Sequence, residues 1–183
     1  MAKRWDVRLS GAGGQGLVTA GIILAEAAGI YDDMSVVQTQ VYGAQSRGGA
    51  SKSEVIISDG AIVYPEVINP DILLAMSQES VNAYVPELRD DGIMVIDSFF
   101  AKTEPPTKAK AYRLPLTTNA RAEVWLDIAA SIVALGVIQA LTNIVTRGSL
   151  DKAVLARSPK GFEANNIKAL HAGYRAGEEL KQA

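Results

Sequence analysis

The sequence predicts an α/β fold: a mostly parallel sheet between helices, with an antiparallel hairpin at one edge and a helical C-terminal third. Three observations predict it. A short alternating run, Trp5 to Ser10, enters a glycine-rich stretch that opens a run with helical spacing, Leu17 to Ala28. Further short apolar runs recur through the first two thirds, separated by turn residues and a helix signal. From Thr117 onward the pattern turns helical. The 183 residues suffice for one domain, read as spanning 1–183, with a core of ordinary size.

The first unit is strand 5–10, loop 11–16 and helix 17–28, with Gly29 as its stop signal. Met34 to Val41 is β-branched and roughly alternating, so it reads as the second strand, paired parallel with the first through a right-handed crossover. Lys52 to Ser58 reads as the third strand, Asp59-Gly60 as its turn, and Ala61 to Tyr64 as its hairpin partner at an edge. Asp71 to Met76 and Ile93 to Asp97 are continuous apolar runs expected in the buried middle of the sheet, joined by a helix that starts after Ser77 and ends near Leu88. Lys102 to Lys108, with two prolines, is a surface connection, and Ala111 to Leu116 a last short strand. Thr117-Thr118-Asn119 caps the helical remainder. There Trp125, Ile128, Ile132, Leu135, Ile138 and Leu141 share one broad apolar face, followed by helices over 150–157 and about 165–182.

Composition excludes several chemistries. The chain has no cysteine, hence no disulfide, thiolate nucleophile or cysteine-held iron–sulfur cluster. Its single histidine, His171, excludes a histidine-rich zinc site, and a lone helical histidine reads as structural or solvated. A net charge of −2 and 6% aromatic residues give no footprint for nucleic acid or an anionic membrane. The apolar stretch 124–141 is interrupted by Asp127, Ser131 and Gln139, so it reads as a core helix rather than a membrane span. Residues 1–6 run into the first strand without an apolar signal region, so a cytoplasmic location is expected.

The candidate site is the stretch Gly11-Ala12-Gly13-Gly14-Gln15-Gly16, with Gly11, Gly13, Gly14, Gln15 and Gly16 as its binding residues. Glycines let the backbone come close to a ligand, and the first turn of the helix leaves N–H donors that favour phosphate. The alternative is that the glycines only permit tight packing. A nicotinamide site would also need an acidic residue near the end of the second strand, and Gln38-Thr39-Gln40-Val41 has none. A second glycine-rich loop, Tyr42 to Ser51, is expected at the same sheet edge, contributing Tyr42, Ser46, Arg47, Gly48 and Gly49, with the Arg47 guanidinium as a fixed positive fork. The alternative is an ordinary turn with a solvated arginine. Catalytic residues are absent from this reading. There is no G-x-S-x-G elbow, no H-E-x-x-H, and no Lys-Ser/Thr after Gly16 as a P-loop requires. Asp97, at a strand end, more commonly caps a loop. A phosphate site without a catalytic constellation suggests a subunit whose chemistry lies on a partner.

The glycine loop, Tyr42-Gly43 with Arg47-Gly48-Gly49, Pro70 to Met76, Ala134-Leu135-Gly136 and Ala172-Gly173-Tyr174 together resemble the gamma subunits of 2-oxoacid:ferredoxin oxidoreductases, over about Trp5 to Leu180. The likeness is greatest to the 2-oxoglutarate type, with the pyruvate, branched-chain and indolepyruvate types similar. The resemblance implies a three-layer Rossmann-like sandwich. It also implies a complex that decarboxylates a 2-oxoacid, passes the acyl group to coenzyme A and delivers electrons to ferredoxin. It places thiamine diphosphate, magnesium and iron–sulfur clusters on alpha, beta and small ferredoxin-like delta partners, with none held by this chain alone and no metal site here. It makes coenzyme A the ligand expected at the two loops, and leaves room for a homodimer of the isolated chain. Two other readings stay open: an assembly subunit whose loops only dock against alpha, and a free-standing nucleotide-binding enzyme.

Overall fold

In the computed structural model, residues 3–41 and 51–182 are described. Six strands form one sheet in the order β2-β3-β1-β4-β5-β6. They are β1 (Arg4–Gly11), β2 (Ser35–Val41), β3 (Ser51–Ser58), β4 (Ile72–Ala75), β5 (Ile93–Asp97) and β6 (Lys110–Leu114). β1, β4, β5 and β6 run parallel, while β3 is antiparallel to both β1 and β2. The antiparallel edge pair is therefore β2 with β3, not β3 with Ala61–Tyr64, which form no strand.

The expected β1–β2 pairing is also replaced, since β3 lies between them. Burial explains the order. Val55 and Ile57 of β3 are fully buried, which suits an interior strand, whereas Ser35, Thr39, Gln40 and Val41 of β2 are exposed, which suits an edge. Both edges of β3 are then taken, so residues 61–64 have no strand to join. The stretch that holds them is pinned instead by β1: Arg4 donates to the Tyr64 and Glu66 carbonyls and Arg8 to that of Val67.

Alternation along the strands makes two cores. Val7, Leu9, Val55, Ile57, Ile72, Leu74 and Val95 face the larger one, shared with α1 (Leu17–Glu26), α3 (Leu116–Val124), α4 (Ala130–Thr142), α5 (Arg147–Arg157) and α6 (Glu163–Gln182). Leu73, Ala75, Met94 and Ile96 face the smaller, closed by α2 (Gln78–Tyr84) and the 3₁₀ turn after it. The result is the three-layer sandwich expected.

The helices depart from the sequence pattern in three places. α1 does not stop at Gly29 but continues as a π-turn over Ala27–Tyr31, where a Cβ on Gly29 would lie 2.8 Å from Val36. Thr117 lies inside the first turn of α3, whose cap is Pro115, so Thr117-Thr118-Asn119 is not the cap. The long apolar helix is broken at Trp125, whose φ of 61° is left-handed, and a 3₁₀ turn intervenes before α4. Trp125 is consequently 88% exposed and Ile128 56% exposed, leaving the shared buried face to Ile132, Leu135 and Ile138. No helix among the described residues is long and apolar enough to cross a membrane.

Candidate functional site

The carboxyl ends of β1, β4, β5 and β6 meet at one rim, where open α/β sheets place their ligands. The glycine loop leaves β1 there and enters α1. Gly16 is the N-cap, left-handed at φ 78°, and among the described residues no side chain caps the helix or places a carboxylate in its first turn. Glycine adopts that backbone without the Cβ clash other residues suffer. The first N–H groups of α1 thus carry the positive end of the helix dipole with no side-chain acceptor assigned to them.

The glycines divide by what surrounds them. A Cβ on Gly11 would meet Gln15 Oε1 at 2.2 Å and Leu17 at 2.7 Å, and one on Gly16 would meet Ser131 Oγ at 2.9 Å. These two are required by packing. Beside Gly13 and Gly14 there is nothing within 4 Å among the described residues, and both line open cavities of about 210 and 250 Å³. Gly14, at φ 85°, is also called for by its own left-handed backbone, whereas no such need attaches to Gly13. Gln15 has a holding role: its Oε1 accepts from the Ala12 N–H at 2.8 Å and its Nε2 donates to the Met76 carbonyl at 2.9 Å. That clamp ties the loop to the end of β4.

Gly11 stands opposite Ser51, and Val41 opposite Lys52, in the sheet register. The ends from which the second loop departs are thus at the glycine-loop rim, as expected. Tyr42, Ser46, Arg47, Gly48 and Gly49 themselves lie outside the described residues.

Two carboxylates at the rim are already engaged. Asp97 is buried, accepting from Thr117 Oγ1 at 2.5 Å and the Phe99 N–H at 3.1 Å, so it braces the β5 and β6 ends. Asp127, beside Gly13 and Gly14, takes a two-pronged contact from Arg121 at 2.5 and 2.7 Å. Those hydrogen bonds hold its carboxyl below the usual range and offset its repulsion of an anion. His171 is far from this chemistry, on α6 with Nε2 3.2 Å from Asp151.

The sequence pattern did not single out Thr19, Ile128 or Phe162 for the site. They line a cavity of about 410 Å³ that begins at Gly16. Ile128 reads as core by spacing, and nothing local marks the break at Trp125 that turns it outward, since no glycine or proline stands there.

A glycine loop that leads from a strand into a helix, at the carboxyl rim of a mixed sheet between helix layers, defines a Rossmann-like α/β domain. Residues 6–176 match the model of the pyruvate ferredoxin/flavodoxin oxidoreductase family. A 2-oxoglutarate synthase subunit KorC of Methanocaldococcus jannaschii is 45% identical over 97% of this chain and 96% of its own length. The keto/oxoacid ferredoxin oxidoreductase gamma subunit of Geobacter sulfurreducens superposes with a TM-score of 0.86 at 43% identity, covering 94% of this chain and 98% of that one. In Magnetococcus marinus a 2-oxoglutarate:ferredoxin oxidoreductase, solved with 2-oxoglutarate, coenzyme A and succinyl-CoA bound, matches 99% of this chain with 32% of its own, at a TM-score of 0.81. Its 21% identity speaks for the fold alone. The chain belongs to the pyruvate ferredoxin/flavodoxin oxidoreductase family and is a gamma-type subunit of a multi-subunit 2-oxoacid:ferredoxin oxidoreductase.

Proposed function

We propose that this subunit serves a 2-oxoglutarate-type complex and that its glycine loop binds the diphosphate of coenzyme A. The observation that supports the reading is that, among the described residues, α1 has no side-chain cap and Gly13 and Gly14 have no neighbour within 4 Å of an added Cβ. Diphosphate oxygens accept from fixed N–H donors without displacing an internal partner. Arg47, on the second loop, is the proposed countercharge, and Tyr42, Ser46, Gly48 and Gly49 would complete that side. The 2-oxoglutarate assignment rests on the KorC relative. A gamma chain with no cysteine and one histidine is unsuited to hold iron–sulfur clusters. By the family likeness these centres, with thiamine diphosphate and magnesium, fall to alpha, beta and delta partners. Ferredoxin is the proposed acceptor and the cytoplasm the proposed compartment. Catalysis would then proceed on the partners, with this chain positioning the acyl acceptor.

The test is Gly13→Asp in the assembled complex. A carboxylate set in the bare loop repels the diphosphate, so the KM for coenzyme A should rise tenfold or more while the KM for the 2-oxoacid is unchanged. An unchanged coenzyme A KM in a normally assembled complex would overturn the binding role. A second reading, docking alone, is favoured by Ile128 and Phe100 standing exposed beside the glycine loop, with exposed Phe99 packed on Phe100. It predicts instead that Gly13→Asp lowers the yield of assembled complex.

A further inference from the structure

The two edges of the sheet are built differently. β6, at one end, is five residues long and exposes Lys110 and Arg113, with Arg113 also bonded to the Ala101 carbonyl. Charge on an edge strand is a common guard against pairing with another chain. β2, at the other end, has seven residues from Ser35 to Val41 and holds neither a charge nor a proline. Its register with β3 is unbroken, so no bulge twists it away. Among the described residues no strand covers its outer side. The hydrogen bonds show which groups lie there. The Asp59 N–H donates to the Lys3 carbonyl at 3.2 Å, and the Asp71 and Met76 N–H groups donate to the Asp6 and Ser10 carbonyls at 2.8 Å. Successive residues of a strand direct their backbone groups to opposite sides. Even-numbered β1 residues therefore bond β4, and odd-numbered ones bond the odd-numbered residues of β3. The even-numbered β3 residues then bond Ser35, Val37, Thr39 and Val41, which leaves Val36, Gln38 and Gln40 with N–H and C=O groups directed outward.

We infer that two copies of this chain pair antiparallel through β2, about a two-fold axis at Gln38, so that one sheet runs through both. Such an axis sets Val36 of each copy against Gln40 of the other, and Gln38 against its own counterpart. These are the residues whose backbone groups face outward. Val37 of one copy then faces Thr39 of the other, and paired β-branched residues favour a ladder. The lack of charge selects a second copy over a strand of different sequence. A two-fold contact brings each residue near its own kind, so a charge beside the axis would repel itself, whereas a different partner could be matched by opposite charge. The whole chain is 21% charged, yet β2 holds no charged residue. The strand ends agree. The π-turn packs its Gly29 against Val36 and presents Ile30 and Tyr31, both exposed, just before β2, and Val41 is exposed at its close. Antiparallel pairing brings the start of one strand beside the end of the other, apolar against apolar.

Sedimentation equilibrium of the full chain over about 1–100 µM tests this, with the mass of two chains as the expected result. Gln38→Glu, close in shape to the native residue, sets two carboxylates together on the axis, and Gln38→Lys sets two ammonium groups there. Each alone should weaken pairing about tenfold or more, because like charges face each other. An equal mixture of the two should restore pairing as a dimer with one chain of each kind, read by native mass spectrometry. Gln40→Pro, at an exposed position whose N–H faces outward, should weaken pairing while leaving the β2–β3 ladder and the circular dichroism spectrum intact. A single-chain mass across the whole range would overturn the proposal. Undiminished pairing in Gln40→Pro would overturn it too, since the contact would then lie on another surface. So would a mixture of folded Gln38→Glu and Gln38→Lys chains that stays monomeric.

Discussion

Arg8 stands on β1 with its side chain closed off from water, and everything around it is arranged to make that tolerable. Its Nε lies 2.7 Å from Glu54, Nη1 meets Glu87, Nη2 donates to the Val67 carbonyl, and the guanidinium lies over the Tyr84 ring. A buried charge costs several kcal/mol in lost hydration and is restored only by full pairing. Arg8→Ala would strand Glu54 with Lys52 alone and release the Val67 carbonyl that anchors the 61–70 segment. Urea unfolding should show a loss of about 3 kcal/mol or more. Arg8→Met combined with Glu54→Leu, which removes both charges, should recover most of it. A second residue carries a pH signature. Burial pushes Asp32 up, but hydrogen bonds from Ser149, the Thr146 N–H and the Thr146 hydroxyl outweigh it and leave the carboxyl below its usual range. A carboxyl lowered on folding contributes stability that is present above its unfolded pKa and lost as pH falls through the folded one. Thermal melts should therefore show a contribution complete above about pH 5 and fading below about pH 4. Asp32→Asn should melt a few degrees lower at neutral pH and show a flatter decline in acid.

Between elements, α4 and α6 approach each other backbone against backbone. A Cβ on Gly173 would sit 2.0 Å from the Val133 carbonyl oxygen, and one on Gly136 2.3 Å from that of Leu170. The obstacles are backbone atoms, so no side chain can swing away. Gly173→Ala must push the helices apart and should cost about 1–3 kcal/mol. Gly148→Ala, in α5 with nothing among the described residues within 4 Å of the added carbon, should cost nothing or stabilise slightly. Denaturant midpoints for the pair separate packing from helix propensity. Those glycines share spacing with ordinary helix residues, and the sequence gives no sign of which face meets a neighbour. The same limit explains what could be read beforehand. β1, β3, β4, β5 and β6 fall within about two residues of their apolar runs, because burial pattern is a local property. The failure at Ala61–Tyr64 is non-local: a turn followed by apolar residues is a sound hairpin signal, but β2 had already taken the edge of β3. The glycine loop was legible because strand, loop and helix are contiguous in sequence. The cleft beside it was not, because Thr19, Ile128 and Phe162 come from three distant segments.

At the scale of the whole molecule, the distribution of apolar surface separates what the chain does alone from what it does in company. Ile128 and Phe100 are exposed beside the glycine loop, Phe99 is exposed against Phe100, and Trp125 is exposed three residues before Ile128. Phe99 and Phe100 pack edge to face with centroids 4.8 Å apart, and Arg121 lies over the Phe99 ring, so the group is ordered rather than loose. Trp125 contributes little to the fold at 88% exposure, and its left-handed backbone would suit a smaller residue no worse. A tryptophan held in water at that cost has its use in an interface, where aromatic anchors dominate the energy. Trp125→Ser should therefore leave the melting temperature of the isolated chain within a degree or two while weakening assembly with the partner subunits tenfold or more. Unfolding and co-purification measured on the same variant check both halves. Equal loss of stability and assembly would place the residue in the fold. Loss of neither would mean that the partners cover another face, such as the one bearing Val63, Tyr64 and Ile68. A partner docked at this rim would cover the glycine loop, so the coenzyme A site proposed above would be closed from water when the complex forms and shared between chains rather than held on one.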